Sequence, residues 1–209
     1  MIPQFDFQCP LMSLPLAFKT DINTIPASIP YLYANQNLIN KWQAKLGEKK
    51  SKPRVGLVWS GSSAYTNDSN RSISLNILGA LFDLEIEFYC LQKEVKPEDE
   101  ATFAESGMPS YADELTDFAE TAALIQNMDL VISVDTSVAH LTGAMGKPLW
   151  VLLPYVPDFR WLLNRDDSPW YPSAKLFRQP KTGDWQSVIK TLAQSLQTHF
   201  NLIPSTDTN

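Results

Sequence analysis

Four polar residues after an apolar run carry the clearest chemical signal in this sequence. The run Leu130–Val134 is typical of a buried strand, and Asp135 follows it directly. A helix is expected to begin at Thr136 or Ser137, so that its first free backbone N–H groups form a site suited to a diphosphate. His140 lies one turn into this helix and can donate a hydrogen bond to a phosphate oxygen. The alternative is that the two hydroxyl residues only cap the helix and that His140 packs in the core.

Strands and helices alternate from Arg54 onward, and this alternation decides where such residues meet. Four apolar runs are predicted as strands: Val55–Trp59, Ile86–Leu91, Leu130–Val134 and Leu149–Leu153. Helices are predicted over Leu75–Phe82, Phe118–Asn127, Ser137–Met145 and Asp184–Phe200. The pattern predicts an α/β fold, with a Rossmann-like parallel sheet covered by helices on both faces. Ligands of such sheets bind at the carboxyl ends of the strands.

The first 50 residues differ from the rest of the chain. They contain prolines at positions 3, 10, 15, 26 and 30 and little periodicity before a short predicted helix over Asn37–Leu46. We interpret residues 1–50 as an irregular, proline-rich arm with a short helix. Residues 51–203 form the predicted α/β domain, and residues 204–209 form a frayed tail.

The composition excludes several classes of function. Asp plus Glu outnumber Lys plus Arg by 23 to 17, giving a net charge of −6, and there is no basic block. Nucleic acid and anionic membrane surfaces are therefore poor candidate partners. No apolar run approaches the roughly 20 residues that span a bilayer. Cys9 and Cys90 lack metal-ligand spacing, Cys90 is expected to be a buried free thiol on a strand, and a cytoplasmic location is the default.

Several segments, in order along the chain, resemble one family. The pattern Asp-Thr-Ser-x-x-His-x-x-x-Ala-x-Gly-x-Pro from Asp135 to Pro148 resembles the signature of glycosyltransferase family 9, the heptosyltransferases. Further segments resemble the variety of this domain that follows tetratricopeptide repeats: Cys9–Pro15, Val55–Gly61, Asn67–Ile73, Asp117–Leu124, Asp129–Asp135, Leu152–Tyr155, Arg160–Trp161, Ser168–Pro172 and Phe177–Gln179.

The resemblance implies the C-terminal, donor-binding half of a bacterial GT-B glycosyltransferase. Such an enzyme transfers a sugar from a nucleoside-diphosphate sugar to a glycan or protein acceptor. The resemblance implies contacts to the donor sugar and diphosphate for Ser60, Gly61, Ser62, Arg71, Asp135, Thr136, Ser137 and His140. It implies nucleoside contacts for Gln92, Glu94 and Phe118. At two of these positions, Arg71 and Ser137, heptosyltransferases usually have Lys and Gly.

No cofactor and no metal are expected beside the nucleotide sugar. A helix N-terminus, an Arg and a His can stabilise a departing diphosphate without a metal. The pair Asp166–Asp167 is more typical of a solvated turn than of a metal site.

The N-terminal half of a GT-B enzyme, which supplies the acidic catalytic base in inverting members, is not found in this sequence. We therefore assign no catalytic residue and expect the chain to be inactive alone. Its expected partners are such a half or a tetratricopeptide-repeat region.

The alternative is a degenerate, non-catalytic half that acts as a protein-interaction module and exposes an apolar docking face. A homo-oligomer could form through that face. A dinucleotide-dependent oxidoreductase is disfavoured because no Gly-x-Gly-x-x-Gly follows the first strand.

Overall fold

The computed structural model describes residues 4–202, and its centre is a five-stranded parallel sheet. The strands are β1 (Arg54–Val58), β2 (Glu87–Cys90), β3 (Leu130–Val134), β4 (Leu149–Leu153) and β5 (Ala174–Arg178). They lie in the order β2-β1-β3-β4-β5, and each neighbouring pair is parallel. The predicted α/β, Rossmann-like fold is confirmed.

Helices cover both faces of this sheet. The α-helices of the described residues are α1 (Leu14–Ala17), α2 (Gln36–Leu46), α3 (Asp68–Arg71), α4 (Glu100–Ser106), α5 (Phe118–Gln126), α6 (Ser137–Ala144) and α7 (Trp185–His199). On one face, Leu57 and Ile132 pack in a core with Leu192 of α7. On the other face, Val131 and Val151 pack in a second core with residues of α2, α5 and α6. Burial on both faces explains why β4 is apolar throughout and β3 is apolar except for the buried Ser133.

The helix predicted over Leu75–Phe82 is a 3₁₀ helix over Leu75–Leu81. Its buried residues Leu75, Leu78 and Leu81 recur every third position. A 3₁₀ helix has three residues per turn and therefore places all three leucines on one face. Further 3₁₀ helices cover Leu11–Ser13, Pro97–Asp99 and Phe159–Trp161.

Strand β5 and helix α4 were not predicted from the sequence. Lys175 and Arg178 interrupt the apolar pattern of β5, which lies at an edge of the sheet, and Lys175 is exposed. The remaining predicted strands and helices are present, with ends shifted by no more than two residues.

The arm joins the domain through its second half. Trp42 of α2 is fully buried against α5, and its indole N–H donates to Glu120 at 2.7 Å. The backbone N–H groups of Tyr31 and Leu32 donate to the carbonyl of Ala144, at the end of α6. Helix α2 therefore shares a core with the predicted domain that begins at residue 51.

The first half of the arm carries many exposed apolar side chains. They are Phe5, Phe7, Leu11, Met12, Leu16, Phe18 and Ile22. The predicted tail, residues 204–209, lies outside the described residues.

Two further predictions concern the cysteines and membrane insertion. Cys90 is a fully buried free thiol on β2, as predicted, and Cys9 is free and exposed. Within residues 4–202, no helix has the length and apolar composition needed to cross a membrane.

Candidate functional site

A cleft of about 640 Å³ lies where β1, β2 and β3 end. Such a volume is typical of a site for a small molecule. Nine of the residues predicted for the site line it: Ser60, Gly61, Ser62, Arg71, Gln92, Glu94, Phe118, Thr136 and Ser137. The other two, Asp135 and His140, lie beside it.

Gln92 organises the loop that follows β1. Its Oε1 accepts from the backbone N–H groups of Trp59 and Ser60, each at 2.7 Å. Its Nε2 donates to the carbonyl of Glu94 at 2.8 Å and to the Ser60 hydroxyl at 3.1 Å. Because the buried amide already uses its donors and acceptor within the protein, it fixes the shape of the loop wall.

Gly61 and Arg71 meet at very close range in this wall. A Cβ at Gly61 would overlap with Nη2 of Arg71 and Oδ1 of Asp68, so a larger residue here would displace the guanidinium. Nη1 of Arg71 donates to the carbonyl of Asp135 at 2.5 Å, and Nε lies 3.0 Å from Asp68. Hydrogen bonds to Asp135 and Asp68 therefore hold the guanidinium at the cleft, where it lies over the ring of Tyr65.

Asp68 holds two cations beside the cleft. Its other carboxylate oxygen accepts from Lys96 at 2.6 Å and from the Ser72 hydroxyl at 2.8 Å. Burial alone would raise the pKa of Asp68, but hydrogen bonds from Lys96, Ser72 and Arg71 outweigh it and lower that pKa. The Asp68 carboxylate therefore holds both Arg71 and Lys96 in place beside the cleft.

The N-terminus of α6 opens toward the same end of the cleft. Thr136 is in the N-cap position, but its hydroxyl makes no capping hydrogen bond and instead lies 3.0 Å from the Ser133 hydroxyl. The expected capping role of Thr136 is therefore not taken up by its side chain. The first N–H groups of α6 have no side-chain acceptor and are available to an anion.

Part of the cleft wall is apolar. Val58, Leu91, Leu115 and Val138 line it, together with Phe118, the first residue of α5. One cleft therefore combines anion-attracting groups with apolar side chains. Within residues 4–202, no three His, Cys, Asp or Glu side chains are grouped to hold a metal ion.

His140 lies in a second, smaller cavity of about 290 Å³. Its Nδ1 is 3.1 Å from the Tyr171 hydroxyl, and its Nε2 is 3.4 Å from Oδ1 of Asp135. The imidazole stacks on Trp161 with 5.2 Å between ring centroids and an interplanar angle of 18°. His140 is thus held on three sides while remaining partly exposed.

Asp135 connects the two cavities. Its carbonyl binds Arg71 at the larger cleft, and its carboxylate faces His140 at the smaller one. Burial alone would raise the pKa of Asp135, but hydrogen bonding by His140 and the charge of Arg71 outweigh burial and lower that pKa. The Trp161 indole also contributes to the lowered pKa, although its N–H meets no acceptor at hydrogen-bonding geometry. Asp135 is therefore ionised at neutral pH.

Comparisons with known proteins find a similarity to glycosyltransferases in part of this chain. The family model described as "Glycosyltransferase family 9 (heptosyltransferase)" matches residues 113–182. The matched segment contains Asp135, His140 and Tyr171 but not the loop after β1.

Two solved structures share the fold. The glycosyl transferase family 9 protein from Veillonella parvula aligns with a TM-score of 0.56 and 12% identity, over 81% of this chain and 53% of that one. The E. coli ADP-heptose LPS heptosyltransferase II aligns with a TM-score of 0.50 and 14% identity, over 81% of this chain and 54% of that one. At sequence identities this low, the similarity shows a shared fold and nothing further.

A curated relative is similar over most of this chain. Protein FlbA of Caulobacter vibrioides is 24% identical over 202 residues, which are 93% of this chain and 33% of that protein. The chain thus spans about a third of this relative and about half of the two solved structures.

Several residues of the site were not predicted from the sequence. Lys93 and Thr116 line the cleft, and Lys96 supports Asp68. Lys93 could have been found, because it follows β2 at the edge where ligands bind. Tyr171 comes from a long loop, and no spacing in the sequence connects it with His140.

Proposed function

We propose that this chain binds a nucleoside-diphosphate sugar in the larger cleft, as the donor-binding part of a glycosyltransferase. The observation that carries the proposal is the convergence of two anion-attracting elements at one end of the cleft. They are the guanidinium of Arg71 and the uncapped N-terminus of α6. A diphosphate at this end would be stabilised by backbone N–H groups and a fixed cation.

The rest of the cleft fits the other parts of such a donor. The apolar side chains of Leu115 and Phe118 suit the flat face of a base, and Glu94, which also lines the cleft, would accept a hydrogen bond from a ribose hydroxyl. The sugar would extend from the diphosphate toward Asp135 and His140, which adjoin the phosphate end. This arrangement keeps the predicted site residues together in one binding mode.

Sugar transfer is the reaction that the family match suggests. In this proposal the acceptor and the catalytic base come from a partner domain, because we assign no base among the described residues. The alternative of a non-catalytic interaction module is not favoured by the comparisons, whose family model and solved structures are glycosyltransferases.

The proposal is tested by calorimetric titration with UDP, ADP and GDP. One of them should bind, and Arg71→Gln should weaken its affinity by about tenfold or more, because a charge-assisted contact to phosphate is lost. Lys190→Gln removes the same charge from an exposed position of α7 and serves as the matched control. Absence of binding for all three nucleotides, or equal affinity of the Arg71 variant, would contradict the proposal.

A further inference from the structure

Local hydrogen bonds fix the position of the Tyr171 ring. The hydroxyl of Ser168, which is buried, accepts from the backbone N–H groups of Trp170 and Tyr171 at 3.2 and 3.3 Å. This tight turn aims the Tyr171 side chain at helix α6. The segment Ser168–Pro172 is one of those that resemble the family domain, but no role was predicted for it.

Helix α6 makes room for that ring. A Cβ at Gly143 would lie 2.4 Å from Cγ and 2.6 Å from Cδ1 of Tyr171. Glycine costs about 1 kcal/mol relative to alanine inside a helix. Gly143 does not have a positive φ, so its backbone conformation does not require glycine. Its role is to let the Tyr171 ring approach the helix one turn below His140.

The hydroxyl of Tyr171 reaches His140 because of this approach. The Nδ1 of His140 lies 3.1 Å from that hydroxyl, which also has the hydroxyl of Tyr31 as a hydrogen-bonding neighbour. Burial, followed by the neighbouring hydroxyl of Tyr31, raises the pKa of Tyr171. A neutral phenol has a proton to donate, and a neutral imidazole offers a lone pair on one ring nitrogen.

We propose that Tyr171 is a positioning residue, which donates to Nδ1 of His140 and thereby keeps the imidazole proton on Nε2, directed at Asp135. A hydrogen bond to one ring nitrogen decides which tautomer the other nitrogen presents. With Trp161 stacked on its face, the ring then has a fixed plane as well as a fixed tautomer. The consequence for donor binding rests on the proposed function above, whereas the tautomer itself does not.

The chain suits a direct spectroscopic test, because it contains two histidines, His140 and His199. Long-range ¹H–¹⁵N correlation spectra, recorded at alkaline pH, distinguish the two neutral tautomers of each ring. We expect the Nε2–H tautomer for His140 in the native protein and a shift toward a tautomer mixture in Tyr171→Phe. His199, which packs against Trp150 and Phe200 on α7, should give unchanged signals and serves as the internal control.

A second variant tests the role of the glycine. Gly143→Ala keeps the hydroxyl but displaces the ring, so it should reproduce the spectral change seen in Tyr171→Phe. Gly79→Ala is the matched control, because no atom lies within 4 Å of a Cβ built there, and it should leave the His140 signals in place. An Nδ1–H tautomer in the native protein, or unchanged His140 signals in both test variants, would overturn the inference.

Calorimetric titration with a nucleoside-diphosphate sugar distinguishes a failure of this inference from a failure of the proposed function. If Tyr171 positions His140, Tyr171→Phe should weaken the sugar-linked donor by about tenfold and the free nucleoside diphosphate by much less. If the native protein binds no nucleotide, the proposed function fails while the spectra still decide the role of Tyr171.

Discussion

A negative charge introduced at the start of α6 should have opposite effects on stability and on binding. Ser137 is the first residue of this helix, is exposed and lines the phosphate end of the cleft. An aspartate at this position interacts favourably with the helix dipole, which is worth about 0.3–1 kcal/mol. We therefore expect Ser137→Asp to be as stable as the native protein or slightly more stable.

The same carboxylate should repel a bound diphosphate. At a separation of about 6 Å and an effective dielectric constant of about 20, two unit charges repel by about 3 kcal/mol, which is about a hundredfold in affinity. Calorimetric titration with the nucleoside diphosphate that binds measures this loss, and thermal unfolding measures the stability of the same samples. Added salt should reduce the difference, because the charges lie at a solvent-accessible site.

Ser137→Asn provides the matched control for this prediction. It has nearly the size of aspartate without the charge, so its affinity should stay within a few-fold of the native value. An equal loss in both variants would point to a steric effect, and unchanged affinity in Ser137→Asp would refute the placement of the diphosphate at α6.

Four other substitutions or reactions test separate parts of the structure. Gly61→Ala should abolish diphosphate binding and cost about 1–3 kcal/mol of stability, measured by titration and urea unfolding, because its Cβ would collide with a guanidinium. Asp68→Asn should destabilise the protein most at neutral pH. The folded-state pKa of Asp68 is lowered below 3.8, so its contribution is present above that pH and is lost on further acidification; urea unfolding should show the gap to the native protein closing below about pH 4. Trp42→Ala should cost about 3–5 kcal/mol in the same assay, because the side chain is fully buried between α2 and α5. A thiol reagent should modify Cys9 rapidly in the folded protein and Cys90 only after unfolding, since burial raises the pKa of Cys90 to about 11.

The sequence predicted best those elements that are buried on both faces. Strands β3 and β4 have the predicted bounds, because a fully buried parallel strand forms a nearly continuous apolar run, interrupted here only by Ser133 in β3. Strand β5 has one solvent-facing position, Lys175, and lies at the edge of the sheet, so its pattern is weak. Periodicity therefore locates the centre of this sheet and misses its edge.

The site was predictable where it follows strands directly. The loop Ser60–Ser62 and the segment Asp135–Ser137 could be placed because the carboxyl ends of parallel strands meet at one edge. The exact bonds of Gln92 and the approach of Tyr171 to Gly143 could not, because they depend on how long loops fold back on the sheet. A polar residue that directly follows a strand thus predicts the region in which its side chain lies. Its hydrogen-bond partners can be identified only from the packed structure.

Asp135, the first residue of the segment Asp-Thr-Ser-x-x-His, contacts both cavities. Its carbonyl fixes Arg71 at the diphosphate end of the larger cleft, and its carboxylate faces the imidazole of His140 in the smaller cavity. A change of the side chain leaves the carbonyl in place and therefore acts mainly on the histidine, apart from the loss of its charge near Arg71. A change of Arg71 removes the bond to that carbonyl and acts on the diphosphate end. The backbone and the side chain of one residue therefore link the proposed diphosphate end of the cleft to the orientation of the histidine.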